Sequence, residues 1–139
     1  MTRPIHRGVD VPGVRVPAGN FVHATIVSAG ADLLFVSGQT PEDVDGTVPD
    51  DFEAQARLAW RNVKRTLTAG GFTLDDVAKV NMYIRDRRYR EDNRTVRNEV
   101  LGGRRPALTV LVTDHWDERW LIEIEVIAAR HAPEAAGQS

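Results

Sequence analysis

Hydrophobic and polar positions alternate along this chain with two periods, and each period predicts one kind of element. A two-residue beat marks strands, because successive side chains point to opposite faces of a sheet. Val22 to Ser28 and Leu33 to Ser37 follow it, separated by the turn composition Ala29-Gly30-Ala31-Asp32, and together predict a β-hairpin. Ala78, Val80, Met82 and Ile84 share one face of a strand over 78–84, and Ala107 to Thr113 predicts another. The last strand runs from Trp120 to Ala129. Ile122, Ile124, Val126 and Ala128 face one way, and Leu121, Glu123, Glu125 and Ile127 the other.

A three-to-four-residue beat marks two helices. Phe52, Ala56, Ala59, Val63 and Leu67 form one stripe in a helix that begins near Asp50. Glu53 is its expected capping-box partner, and Gly70-Gly71 its left-handed stop. A second helix covers about 87–101, capped by Asp86 and ended by Gly102-Gly103, with Tyr89, Asn93, Val96 and Val100 on its stripe. Buried amides need partners, so Asn93 either bonds nearby backbone or borders a site.

The order ββαβαββ predicts a two-layer α+β domain with two helices on one face of a mixed sheet. Both sheet faces carry apolar residues, while two helices can cover only one. The other face is therefore expected to meet a partner subunit.

Composition narrows the function classes. At 139 residues the chain is expected to form a single domain, with a lead-in before about residue 21 and a fraying tail over 131–139. A formal charge of -2 supplies no general attraction for nucleic acid or membranes. The chain has no cysteine, which excludes disulfides, a thiolate nucleophile and sulfur-based metal sites, and fits a cytoplasmic protein. Met1 to Arg7 lacks the apolar run of a leader, and no stretch has the length of a membrane span.

Glu123 is the leading candidate for chemistry. It lies between isoleucines on the face expected to meet a partner, where a carboxylate is either paired with an arginine or raised in pKa and suited to proton transfer. Glu125 shares that face. Ser37-Gly38-Gln39-Thr40-Pro41 closes a strand with a glycine that permits close backbone approach, or simply a tight turn. His23 and His115 have no second histidine at ligand spacing, so no metal is expected. Neither a phosphate loop nor a dinucleotide fingerprint occurs, so no cofactor is expected. Arg85, Arg87, Arg88, Arg90, Arg94, Arg97, Arg104 and Arg105 are interleaved with acids and poor in aromatic neighbours. That pattern reads as a solvated, salt-bridged helix rather than a nucleic-acid surface. Arg104 and Arg105 could each reach an anion near the strand at Ala107.

Val36-Ser37-Gly38-Gln39-Thr40-Pro41, Gln55, Asn62, Gly71, 77–83, Asn93, Pro106-Ala107 and Glu123-Ile124-Glu125 together resemble the Rid family, also described as YjgF/UK114 or endoribonuclease L-PSP. The resemblance runs from about Phe21 to Arg130. It implies a homotrimer of the bacillus chorismate-mutase shape, with ligand clefts between subunits. It also implies hydrolytic deamination of reactive imines or enamines. The implied cleft residues are Phe21, Gly38, Asn93, Leu108 and Glu123, with the glutamate holding or activating water.

Two of these positions depart from the pattern. Phe21 stands where a tyrosine is usual, and Leu108 stands where an arginine grips the substrate carboxylate. A leucine cannot form that bidentate pair. Either Arg105 or a neighbouring subunit then supplies the guanidinium, or the substrate is more hydrophobic and rests on Phe21, Leu108, Trp116 and Trp120. The alternative to a deaminase is a ligand-binding or regulatory trimer without turnover.

Overall fold

The computed structural model describes residues 4–133. Six strands and two α-helices follow in the order β1 (His6–Gly8), β2 (Thr25–Val27), β3 (Ala31–Gln39), α1 (Phe52–Ala69), β4 (Val77–Ile84), α2 (Arg90–Leu101), β5 (Ala107–Val112) and β6 (Ile122–His131). Four of them form one mixed sheet in the order β3-β6-β4-β5. β4 and β5 are parallel because α2 crosses between them, and the other pairs are antiparallel. Both helices pack on one face, giving the expected two-layer α+β fold. Among the described residues no helix is long and apolar enough to cross a membrane.

The core lies between that face and the helices. Ile122, Ile124, Val126 and Ala128 of β6 are buried there with Val80, Met82 and Ile84 of β4 and the whole predicted stripe of α1. α1 ends in a Schellman arrangement. Gly71, at φ +83, donates to the Thr68 carbonyl, and Phe72 donates to that of Leu67.

Two expectations are corrected. β2 does not form a hairpin with β3. It pairs antiparallel with β1, a strand in the lead-in that the pattern does not announce, with His6 opposite Val27. β3 instead pairs with β6, whose longer apolar face offers more burial. The cap of α1 is Asp51 rather than Asp50: its carboxylate accepts from the Ala54 amide at 3.2 Å. Glu53 is consequently free of the capping box and pairs with Arg57 one turn on, at 2.8 Å. The expected tail begins inside β6, which includes His131, and its remainder over 134–139 lies outside the described residues.

Two amides on α1 hold the loops that frame the sheet. Gln55 is buried, donates to the carbonyls of Pro49 and Arg119 at 2.8 Å each, and accepts from the Leu121 amide at 2.7 Å. Asn62 donates to the carbonyls of Thr40 and Glu42, both at 3.0 Å.

Candidate functional site

Beyond α2 the sheet has an uncovered corner on its helical side. β5 is an edge strand, and the helices shield β3, β6 and β4 but not the outer half of β5. Val110 and Val112, aligned with Met82 and Ile84, therefore stay partly exposed. The lead-in closes the opposite wall: Val22 bridges in parallel to Ala107 and donates to the Pro106 carbonyl at 3.1 Å, which holds Phe21 beside the edge. The result is a cleft of about 370 Å³ lined by Phe21, Ile84, Val110 and Val112 and by Asn93 and four arginines, Arg87, Arg90, Arg94 and Arg97.

Asn93 is 2% exposed. Its Nδ2 lies 3.9 Å from the Met82 sulfur, and its Oδ1 has no hydrogen-bond partner among the described residues. A thioether sulfur can only accept, so the amide nitrogen faces it and the oxygen is the end left unpaired. Among the described residues Asn93 bonds no backbone group, and it lines the cleft.

The arginine-rich segment is not uniformly solvated and salt-bridged, which corrects the sequence reading. Arg85 donates to the carbonyls of Trp120 and Asp117, and Arg104 pairs with Asp75 at 2.7 Å. The four cleft arginines have no carboxylate partner among the described residues. Arg97 is buried, and Arg94 donates to the Ala18 carbonyl at 2.9 Å.

Glu123 lies on the other face of the sheet. It is aligned with Tyr83, whereas Asn93 touches Met82, whose neighbours across the pair are Ile124 and Val110. β3 carries a bulge between Val36 and Gln39, and Gly38 sits in it against Glu123. A β-carbon on Gly38 would stand 2.7 Å from the Glu123 carboxyl carbon. The glycine thus makes room for the carboxylate, not for a ligand, in the single chain. Among the described residues no arginine pairs with Glu123. Glu125 is the paired acid of this face: its Oε1 accepts from Asn81 at 3.0 Å and from the Tyr83 hydroxyl. That hydrogen bond, followed by desolvation and the charges of Glu125 and Glu123, raises the Tyr83 pKa above its ordinary value.

The remaining expected site residues scatter. Leu108 is aligned with Val80 and packs on the core, and within the single chain Leu108, Trp116 and Trp120 do not join Phe21 in the lining of this cleft. Trp116 is 97% exposed in the loop before β6, and the Trp120 indole donates to Glu42 at 3.1 Å. Arg105 borders a second depression with Val9, Pro12 and His23 that shares Phe21 with the cleft. His115 bonds the Tyr83 carbonyl at 2.9 Å, and His23 the Arg15 carbonyl. The sequence reading did not place Arg97 in the wall of the cleft. Its signal was its spacing of four from Asn93 and seven from Arg90, which puts all three on one stripe of α2.

The domain model described as endoribonuclease L-PSP matches residues 13–130. The RutC family protein YjgH of Escherichia coli is 41% identical over 98 residues, covering 70% of this chain and 75% of that protein. The RutC family protein PH0854 of Pyrococcus horikoshii is 34% identical over 114 residues, covering 81% and 88%. A solved structure of protein YjgH superposes with a TM-score of 0.68 at 35% identity, over 84% of this chain and 95% of that one. The Rid-family protein YyfB of Yersinia pestis shares the fold, with a TM-score of 0.78 at 23% identity over 91% and 99%. On this sequence match and this topology, the chain belongs to the Rid (YjgF/UK114) family.

Proposed function

We propose that the chain assembles as a homotrimer through the helix-free face of its sheet and hydrolyses a reactive imine or enamine in clefts between subunits. Water adds to the C=N carbon, the carbinolamine expels ammonia, and a carbonyl compound leaves. Assembly is supported by the apolar side chains that the helices leave uncovered, with Phe35 69% and Leu33 48% exposed. It is supported also by the separation of Glu123 from Asn93 across the sheet, since one small substrate meets both only if a neighbour's open face abuts the cleft.

The observation that carries the reaction is the buried, unpaired amide oxygen of Asn93 in the cleft wall. A buried acceptor without a partner costs about 1–3 kcal/mol, and a ligand N–H removes that cost. An imine or an amine leaving group offers such a donor, whereas the carbonyl product does not, which favours product release. Glu123 is the water-orienting base.

The test follows ammonia and keto-acid release from imines generated in situ by an amino-acid oxidase, over small, aliphatic and aromatic side chains. Wild-type turnover that falls by about 100-fold or more in Glu123→Gln is expected for loss of a general base. Full activity in that variant would remove Glu123 from the reaction. Leu108, in place of the clamp arginine, favours a second reading, a ligand-binding or regulatory trimer without turnover. Wild type inactive on every imine but still binding a small ligand would select it.

A further inference from the structure

We infer that Arg97, supported by Arg94, is the carboxylate clamp of this cleft, moved from β5 to α2, and that the ligand it selects is a carboxylate with an apolar body. The inference rests on the cleft proposed above as the reaction site.

Arg97 is 8% exposed, and the one hydrogen bond from its guanidinium among the described residues goes from Nε to the neutral Asn20 Oδ1 at 3.5 Å. A neutral amide cannot balance the charge, and a buried cation without a counter-ion is costly. Burial, and then the charge of Arg94, push its pKa below the ordinary value. An anion in the cleft relieves both effects. Gly19 roofs the group: a β-carbon there would stand 3.6 Å from the Arg97 Nη2. Arg90, Asn93, Arg94 and Arg97 lie on one stripe of α2, and all four line the cleft.

The floor of Phe21, Ile84, Val110 and Val112 is apolar, and a volume of about 370 Å³ exceeds what a three-carbon acid fills. A planar guanidinium fork matches a carboxylate edge to edge. Arg105, the alternative suggested by sequence, is exposed and does not line the cleft, although its own depression shares Phe21 with it.

The test is calorimetric titration of the intact protein with 4-methyl-2-oxopentanoate, 2-oxo-3-phenylpropanoate, their methyl esters and inorganic phosphate. Arg97→Gln, which drops the charge but keeps a donor for Asn20, is expected to weaken both acids by about tenfold or more and leave the esters unchanged. Arg97→Lys lacks the fork and is expected to weaken them by about threefold. Arg105→Ala is expected to bind as wild type does. Acid binding unchanged in Arg97→Gln would overturn the inference; should that variant not fold, unchanged binding in Arg97→Lys would do so. Loss of binding in Arg105→Ala, phosphate bound more tightly than either acid, or no acid bound by wild type would overturn it as well. The two proposals fail separately. Arg97-dependent binding without ammonia release removes the reaction and keeps the clamp. Imine turnover with unchanged KM in Arg97→Gln removes the clamp and keeps the reaction.

Discussion

Gly38 and Glu123 fit each other so closely that a single added carbon would collide: a β-carbon on Gly38 would lie 2.7 Å from both Cδ and Oε1 of Glu123. The backbone at Gly38 has no positive φ, so the glycine is required for space and not for conformation. The colliding atoms are the end of a flexible side chain, which can swing away more cheaply than backbone can. Gly38→Ala is therefore expected to cost less than about 1 kcal/mol of stability while displacing the carboxylate. Imine turnover should fall by about tenfold or more with little change in the urea midpoint. An alanine variant of full activity would separate the position of Glu123 from the chemistry.

The helix-free face sets a prediction about assembly. Phe35 and Leu33 are exposed there beside Ile127, whose strand neighbour is Phe35. Phe35→Asp puts an unpaired charge at each copy of the proposed interface, where desolvation makes it costly. Sedimentation equilibrium should report a trimer for wild type and a monomer for Phe35→Asp. A variant that remains trimeric would mean that subunits meet elsewhere.

Gln55 tests a structural motif residue. Its three hydrogen bonds, two at 2.8 Å and one at 2.7 Å, hold the segment before α1 and the approach to β6. Gln55→Leu leaves those backbone groups without partners, at about 1 kcal/mol or more each. Stability should drop by about 3 kcal/mol in urea unfolding, compared at equal protein concentration because assembly shifts the midpoint. A loss under about 1 kcal/mol would show that water replaces the amide.

Tyr83 gives a pH dependence with a definite sign. Its donation to Glu125 holds its pKa above the ordinary 10.0. A value raised by folding contributes stability that is complete below about pH 10 and is lost as pH rises through the folded value. Wild type should therefore lose more thermal stability than Tyr83→Phe as pH climbs above 10. Parallel curves for the two proteins would contradict that coupling.

Local periodicity made much of the fold legible without coordinates. The stripe from Phe52 to Leu67 and the alternation from Ile122 to Ala128 follow from the geometry of helix and strand, which repeats within a few residues. The stop at Gly70-Gly71 was legible for the same reason, since it depends on one left-handed glycine, Gly71. So was the imbalance between two helices and a sheet with two apolar faces. Tertiary structure decided what pairs across distance. β2 took β1 as its partner and left β3 to β6, and no local signal ranks such pairings because they are separated along the chain. Two adjacent aspartates serve equally well as a cap until the first turn is placed, and Asp51 won. Arg97 read as solvated because arginine usually is, and only the lead-in folding over α2 buries it. Glu123 and Asn93, joined by family resemblance, lie on opposite faces of one sheet. That separation was already legible, because alternation along β6 turns Glu123 away from the isoleucine face; the assembled sheet decided instead that the bulge of β3 sets Gly38 against Glu123.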